Sequence, residues 1–228
     1  MKLTKKQAER IAENYNLGKV KTIKPIPSGW VNYSFDLRTE KEKYIIQIIG
    51  GKFTKQKERS MKLQFRLLNY LDKKNFPYEI PLPLKTKRRE YFMILNGKRL
   101  WTYRKLIGEL NFKMDPKRFK ELAKACAIYH KYVKNFKVGK KSDFGHIWLE
   151  KKYVKFGRVK PKTELDNLML SNLEFFKQLV KRLRNIDYGN NFILCHADLN
   201  GENTVFRGNK LIGIIDFNNI EYAPLTND

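Results

Sequence analysis

Three oxygen-bearing side chains near the end of the chain have the types and spacing to do chemistry together. The segment 195–217 reads CHADLNGENTVFRGNKLIGIIDF, with Asp198 and Asn203 on one short polar loop and Asp216 after the apolar pair Ile214-Ile215. A carboxylate at a strand end, facing an Asp/Asn loop, is a donor set suited to a nucleotide-bound Mg²⁺. That ion takes few protein oxygens and fills its other positions with phosphate and water. Phosphoryl transfer then needs a further carboxylate beside the acceptor hydroxyl, to orient it and accept its proton. The plainer reading is a polar turn followed by an exposed Asp. The five-residue step from Asp198 to Asn203, together with the I-I-D-F strand, favours the chemical one. Cys195 beside His196 suggests a metal pair or a thiol nucleophile, but adjacent strand residues point to opposite faces and no Cys-x-x-Cys is present.

Several elements must position those groups. NTVFRGNKLIGIIDF predicts two short strands around a turn. At the other end, KLTKKQAERIAENYN predicts an amphipathic helix with Thr4 as cap, Gln7 as its capping-box partner, and Ala8, Ile11, Ala12 and Tyr15 on one face. Strands follow over 19–50: VKTIKPI, broken by Pro25 and Pro27, then WVNYSFDLRT and KYIIQII. A second helix over 55–74 carries Met61, Phe65, Leu68 and Leu71 on one face and closes at Asn75. YEIPLPLKTKRREYFMILNGKRLWTYRKL predicts strands again, with a two-residue hairpin at Asn96-Gly97. Asp115-Pro116 starts a helix with Phe119, Leu122, Ala123, Cys126, Tyr129, His130 and Val133 on its inner face. After a basic stretch at 134–163, one more helical stripe runs through Leu165, Met169, Phe176, Leu179, Leu183 and Ile186. A strand-rich first half followed by a helical half is an α+β pattern, expected here as two lobes, 1–103 and 104–228.

Composition bounds the reading. The chain has 228 residues, 42% hydrophobic and 31% charged, which excludes collagenous, low-complexity and wholly disordered chains. Its 48 Lys+Arg against 23 Asp+Glu give a formal charge of +25. That favours anionic partners and disfavours a polycationic substrate, although a lysine-rich solvated surface would give the same count. Two cysteines cannot staple a chain of this length, so a reducing, cytoplasmic setting is expected, and no apolar run nears the roughly 20 residues of a membrane span.

The string H-A-D-L-N-G-E-N, followed by I-I-D-F, resembles the catalytic loop and metal-binding Asp of protein-kinase-like phosphotransferases. It is similar above all to the aminoglycoside phosphotransferase and choline kinase superfamily, and within it to the homoserine kinase type II-like small-molecule kinases. His196, Asp198, Leu199, Asn203, Gly213, Ile215, Asp216, Phe217 and Asp228 meet the motif, while EIPLPL, Leu106-Ile107-Gly108 and KACAIYH resemble upstream segments in order. The resemblance implies a two-lobed protein-kinase-like fold, short at its C-terminal side, and ATP- and Mg²⁺-dependent phosphorylation of a hydroxyl on a small molecule. It implies Asp198 as catalytic base, Asn203 and Asp216 as Mg²⁺ ligands, His196 as a brace of the metal loop and Asp228 as a support behind the catalytic loop. Ser28 and Gly29, in SGWVNYSF, resemble the loop that covers the phosphates, and the hinge near Tyr103 would present backbone groups to adenine.

This sequence departs from the family pattern in two ways. The strand cation that contacts the phosphates is Gln47, and its helical acidic partner is Gln64, an amide pair able to keep the geometry through hydrogen bonds. Lys52 or Lys43 would then have to supply the missing charge. The family also continues with several helices past the position of Asp228, and those helices build much of its acceptor site. Two other classes therefore stay open: a nucleotide-binding pseudokinase without turnover, motivated by Gln47 and Gln64, and an RNA-associated protein using basic runs such as KKYVKFGRVKPK at 151–162. His130 reads as a core histidine and His146 as a lone loop residue.

Overall fold

Thr4 opens the first helix as its type requires. Its Oγ1 accepts from the Gln7 N–H at 3.2 Å, and Gln7 Oε1 accepts from the Thr4 N–H at 2.9 Å, closing a capping box at the start of α1 (Lys5–Asn14). Ala8, Ile11, Ala12 and Tyr15 are all buried on the face the periodicity predicted. The computed structural model describes residues 2–27, 32–110, 115–138, 150, 154–189 and 191–228. These fall into two compact units, Met1–Tyr132 with Asp198–Asn219, and Val133–Ala197 with Ile220–Asp228.

In the first unit, α1 packs on a five-stranded antiparallel sheet. Its strands are β1 (Val20–Ile26), β2 (Tyr33–Thr39), β3 (Lys43–Ile48), β4 (Met93–Leu95) and β5 (Lys98–Arg104), in the order β1-β2-β3-β5-β4. Pro25 and Pro27 were expected to break the first strand, yet β1 runs through Pro25. It is an edge strand, where a missing N–H removes no bond from the sheet interior. Phe35, Leu37, Ile46, Ile48 and Leu100 alternate onto the α1 side to form the core, each such burial stabilising by about 1.5–3 kcal/mol. Trp101, one residue on from Leu100, turns to the other face and meets Phe65 of α2 (Lys55–Lys73) with ring centroids 5.0 Å apart. Asn96 and Gly97, at φ 50° and 73°, make the tight β4–β5 turn that the Asn-Gly pair predicts. EIPLPL was expected to form a strand. It makes only two isolated bridges, Glu79 with Gly213 and Pro83 with Tyr103, because its prolines have no N–H to donate to a ladder.

The rest of the first unit comprises α3 (Pro116–Val133) and a small antiparallel sheet in the order β6-β8-β9, made of β6 (Glu109–Leu110), β8 (Thr204–Arg207) and β9 (Lys210–Ile214). Asp115 Oδ1 caps α3 through the Arg118 N–H at 2.9 Å. Ala125, Tyr129 and Val133 are buried, whereas Phe119, expected on the same face, is 62% exposed. In the second unit, the single helix expected after residue 163 is two, α4 (Glu164–Ser171) and α5 (Leu173–Arg184). The break falls at Asn172, whose side-chain amide donates to the Leu168 carbonyl at 2.8 Å and so competes with continued helix. Most of the predicted stripe is exposed there, Leu165, Met169, Leu179 and Ile186 included, while Val180 is buried. β7 (Phe192–Cys195) pairs antiparallel with β10 (Glu221–Pro224), a ladder the sequence did not suggest. The architecture is α+β, with an antiparallel-sheet N-terminal half and mostly helical segments after it.

Candidate active site

The β8–β9 hairpin assembles the polar constellation. Thr204 pairs with Ile214, so the residue before β8 and those after β9 lie side by side. The Ile215 N–H donates to the Asn203 carbonyl at 2.9 Å, and Asn203 Nδ2 donates to the Asp198 carbonyl at 2.8 Å. Asp198, Asn203 and Asp216 all line one cleft of about 1480 Å³ in the first unit. Two glycines of the motif are there for close approach. A Cβ on Gly213 would lie 2.5 Å from Leu106 Cδ2 and 3.0 Å from the Glu79 carbonyl, and one on Gly108 would lie 2.5 Å from the Phe206 carbonyl. Leu106-Ile107-Gly108 and Glu79 thus clasp the hairpin, which positions its polar end.

Each polar group is held by neighbours that leave it chemically available. Asp198 Oδ1 accepts from Asn200 Nδ2 at 2.9 Å and Oδ2 from Asn219 Nδ2 at 3.2 Å, so the carboxylate is oriented by neutral donors. Asp216 Oδ1 accepts from the backbone and side-chain amides of Asn218. Asp216 sits in the left-handed region at φ 59°, as does Ala197, the residue before Asp198, at φ 61°. Such backbone costs about 1–3 kcal/mol per residue and collects at working sites. The Nδ2 of Asn203 is committed to the Asp198 carbonyl, which leaves Oδ1, the atom a hard cation would use. Asp198, Asp216 and the exposed Glu202 line the same cleft, and among the described residues no Lys or Arg forms an ion pair with any of them. Oxygens of this type, partly hydrogen-bonded and free of basic partners, fit a divalent cation. Among the described residues there is no cluster of three or more His, Cys, Asp or Glu side chains suited to a metal that takes a full protein ligand set.

The remaining predicted site residues are distributed as follows. Gln47 and Gln64 both line the cleft, but no hydrogen bond joins them among the described residues. Gln47 Oε1 instead accepts from the indole N–H of Trp101, its direct cross-strand partner, at 2.9 Å. Its carbonyl is spent on that bond, so what Gln47 offers the cleft is an uncharged NH₂ donor. Tyr103 also lines the cleft. Its backbone is engaged by Ile45 on one side and bridged to Pro83 on the other, so the expected free backbone groups are not on this residue. Its side chain stacks near Trp101 at 4.9 Å, and burial, with the Asp216 carboxylate as second cause, pushes the phenol pKa up. Leu106, just beyond the strand, lines the cleft and has no backbone hydrogen bond among the described residues.

Ser28 and Gly29 lie outside the described residues, as do His146 and the start of the 151–162 run. In the second unit, the Asp228 carboxylate accepts from the N–H groups of His196 (3.1 Å) and Ala197 (2.6 Å), just ahead of Asp198 in the chain, and His196 is fully buried. The Cys195 thiol is buried in the β7–β10 pair and donates to the Pro224 carbonyl at 3.2 Å. Lys52 is exposed and not part of the cleft lining, and Lys43 begins β3, where its carbonyl accepts from the Lys105 N–H at 2.9 Å. The lysines that do line the cleft are Lys57 and Lys105. Lys57 lies seven residues before Gln64 on α2, a spacing that shares one helix face and could have identified it.

The chain is similar to known proteins in fold and in sequence. Spectinomycin phosphotransferase, solved with ADP and spectinomycin, matches over 100% of this chain and 73% of its own at TM-score 0.70 and 17% identity. A microcompartment-associated aminopropanol kinase matches over 93% of this chain and 70% of its own at TM-score 0.69 and 13% identity. These likenesses define the fold as that of the protein-kinase-like phosphotransferases. The family model described as "Phosphotransferase enzyme family" matches residues 22–228, and the chain belongs to that family. A homoserine kinase from Methylobacillus flagellatus is 22% identical over 211 residues, covering 92% of this chain, which spans 62% of that relative's length.

Proposed function

We propose that this chain is an ATP- and Mg²⁺-dependent kinase that transfers the terminal phosphoryl group of ATP to a hydroxyl of a small molecule. The observation that carries the reading is electrostatic. In a chain with an excess of 25 basic residues, the cleft lined by Asp198, Glu202 and Asp216 leaves all three carboxylates without a basic partner among the described residues. Such a site is built for a cation delivered with its ligand. Asn203 Oδ1 and Asp216 would hold Mg²⁺, which would offset charge on the phosphates. Asp198, oriented by Asn200 and Asn219, would accept the proton of the acceptor hydroxyl as its oxygen bonds the phosphorus and the bond to ADP breaks. Residues 1–103 would supply the nucleotide-binding sheet and helix, and 104–228 the catalytic loop and metal site. Asp228, through the His196 and Ala197 N–H groups, would support the loop from behind. Backbone groups at Leu106, rather than Tyr103, would meet adenine.

The positive charge of the chain favours an acceptor that carries a carboxylate over a polycationic one. ATP consumption over a panel of hydroxylated metabolites tests the assignment, with Asp198→Ala expected to lower turnover by about 10²–10⁴-fold while ATP still binds. A wild-type protein that ignores ATP under all conditions overturns it. Gln47 favours one second reading, a nucleotide-binding protein without turnover, and ATP binding with no phosphorylated product across the panel would establish that instead.

A further inference from the structure

A phosphotransferase cleft must present positive charge to a triphosphate, and the β3 position that would carry it here holds a neutral amide. Two lysines line the cleft, and their surroundings differ. Lys105 is ion-paired with the Asp36 carboxylate of β2, so its charge is already balanced. Lys57 has no acidic partner among the described residues, since its neighbour Glu58 pairs with Lys62 at 2.8 Å. Its Nζ instead donates to the Gly50 carbonyl at 2.7 Å. An ammonium has three donors, so two remain for a ligand.

The same contact fixes where the charge sits. Gly50 follows β3, and its N–H donates to Asn32 Oδ1 at 3.2 Å while its carbonyl accepts from Lys57. Asn32 precedes β2 and lines the cleft, so one glycine ties the approach to β2, the end of β3 and the first turn of α2 together. Thr54 secures that turn by accepting from the Lys57 N–H at 3.2 Å. Lys57 is half-buried, which limits the screening of its charge by water. Ser60, Met61 and Gln64 continue the same helix face along the cleft.

We propose that Lys57, on the first turn of α2, is the cation that contacts the nucleotide phosphates, in place of a strand lysine at position 47. The inference rests on the phosphotransferase reading above and adds a residue that the motif does not assign. Gln47 contributes a neutral donor held by Trp101, and Lys57 contributes the charge. Charge-assisted hydrogen bonds are roughly twice as strong as neutral ones, so the two positions are unequal in effect.

The test compares ATP with adenosine, ligands that share a base and sugar and differ in phosphate. Calorimetry on the full chain with Mg²⁺ measures both for wild type, Lys57→Met, Lys57→Arg and Lys105→Met, with melting curves as a folding check. Wild type is expected to prefer ATP, and Lys57→Met to lose about 10–100-fold of that preference with adenosine affinity unchanged. Lys57→Arg, which keeps the charge, should retain most of the preference. If Lys57→Met fails to fold, Lys57→Gln carries the same comparison. A preference for ATP that survives loss of the Lys57 charge, or that vanishes in Lys105→Met instead, overturns the inference and leaves the kinase reading standing. A wild-type protein that binds neither ligand overturns both.

Discussion

The two walls of the cleft solve the same electrostatic problem differently. The β8–β9 wall presents the oxygens on which the proposed chemistry rests, those of Asp198, Asn203 and Asp216, with the two carboxylates held by Asn200, Asn218 and Asn219. The β3–α2 wall presents the amides of Gln47 and Gln64 together with the Lys57 ammonium, and holds Gln47 onto Trp101. The difference follows from the ligands each wall would meet. A divalent cation is held by anionic or carbonyl oxygens, and a neutral donor cannot stand in for them. A phosphate oxygen accepts from any well-placed N–H, more strongly from a charged one, so that wall can divide the contact between a neutral amide and a lysine. Losing charge from the first wall should therefore cost far more than perturbing the second.

After loss of the Asp198 carboxylate, Asp216→Asn gives the largest expected effect. It keeps shape and one oxygen but removes the charge, and turnover should fall by about 10²–10³-fold, in line with loss of a single transition-state stabilising group. Progress curves at saturating ATP across a Mg²⁺ titration check this, and excess Mg²⁺ should recover only part of the loss. Turnover within a few-fold of wild type would remove Asp216 from the metal site and erase the contrast between the walls.

Trp101→Phe probes the neutral donor of the β3–α2 wall. It keeps an aromatic ring against Phe65 and deletes the indole N–H that holds Gln47, leaving Gln47 Oε1 without its donor. Removing one partner of a largely buried hydrogen bond costs about 1–3 kcal/mol. For a chain of this size that is a fall in Tm of about 2–12 °C. ATP affinity should weaken only a few-fold, because the freed amide is neutral in any orientation. A loss of ATP affinity as large as that expected for Lys57→Met would show that Gln47, and not the lysine, is the main phosphate contact.

The site was more legible in the sequence than the surroundings that tune it. Asp198, Asn203 and Asp216 stood out because hairpin register is a local property: the turn in FRGNKL fixes which residues end side by side. α1 and α2 were legible for the same reason, through caps and periodicity. The Gln47–Trp101 bond was not, because it depends on the register of β3 against β5 across a separation of 54 residues. Lys57 was not legible as a counterpart of Lys43 and Lys52, because the face it shares with Gln64 belongs to a helix rather than to the strand or its turn. The stripe over 165–186 read as core but is largely exposed, since periodicity marks an apolar face without saying what covers it. The bend at Asn172 depends on a side-chain bond to Leu168 that periodicity does not register.

The smallest expected effect concerns Tyr103, which lines the cleft and feels both walls, stacking on Trp101 and sensing Asp216. Burial first, and the Asp216 carboxylate second, raise its pKa above the ordinary tyrosine value, so the folded protein keeps the phenol neutral where the unfolded chain ionises it. Above about pH 10 the unfolded state thus binds fewer protons than the native one, and stability falls as pH rises. Each such group adds at most about 1.4 kcal/mol per pH unit to that slope. Tyr103→Phe should flatten the decline in urea-measured stability between pH 10 and 11. Tyr15→Phe should do so as well, because burial also raises the Tyr15 pKa, in the core beneath α1 and away from the cleft. Asp216→Asn should then flatten the slope slightly in wild type and not at all in the Tyr103→Phe background. An alkaline slope equal in wild type and Tyr103→Phe would show that the phenol ionises as it does in water, and that the carboxylate wall exerts no field on the aromatic one.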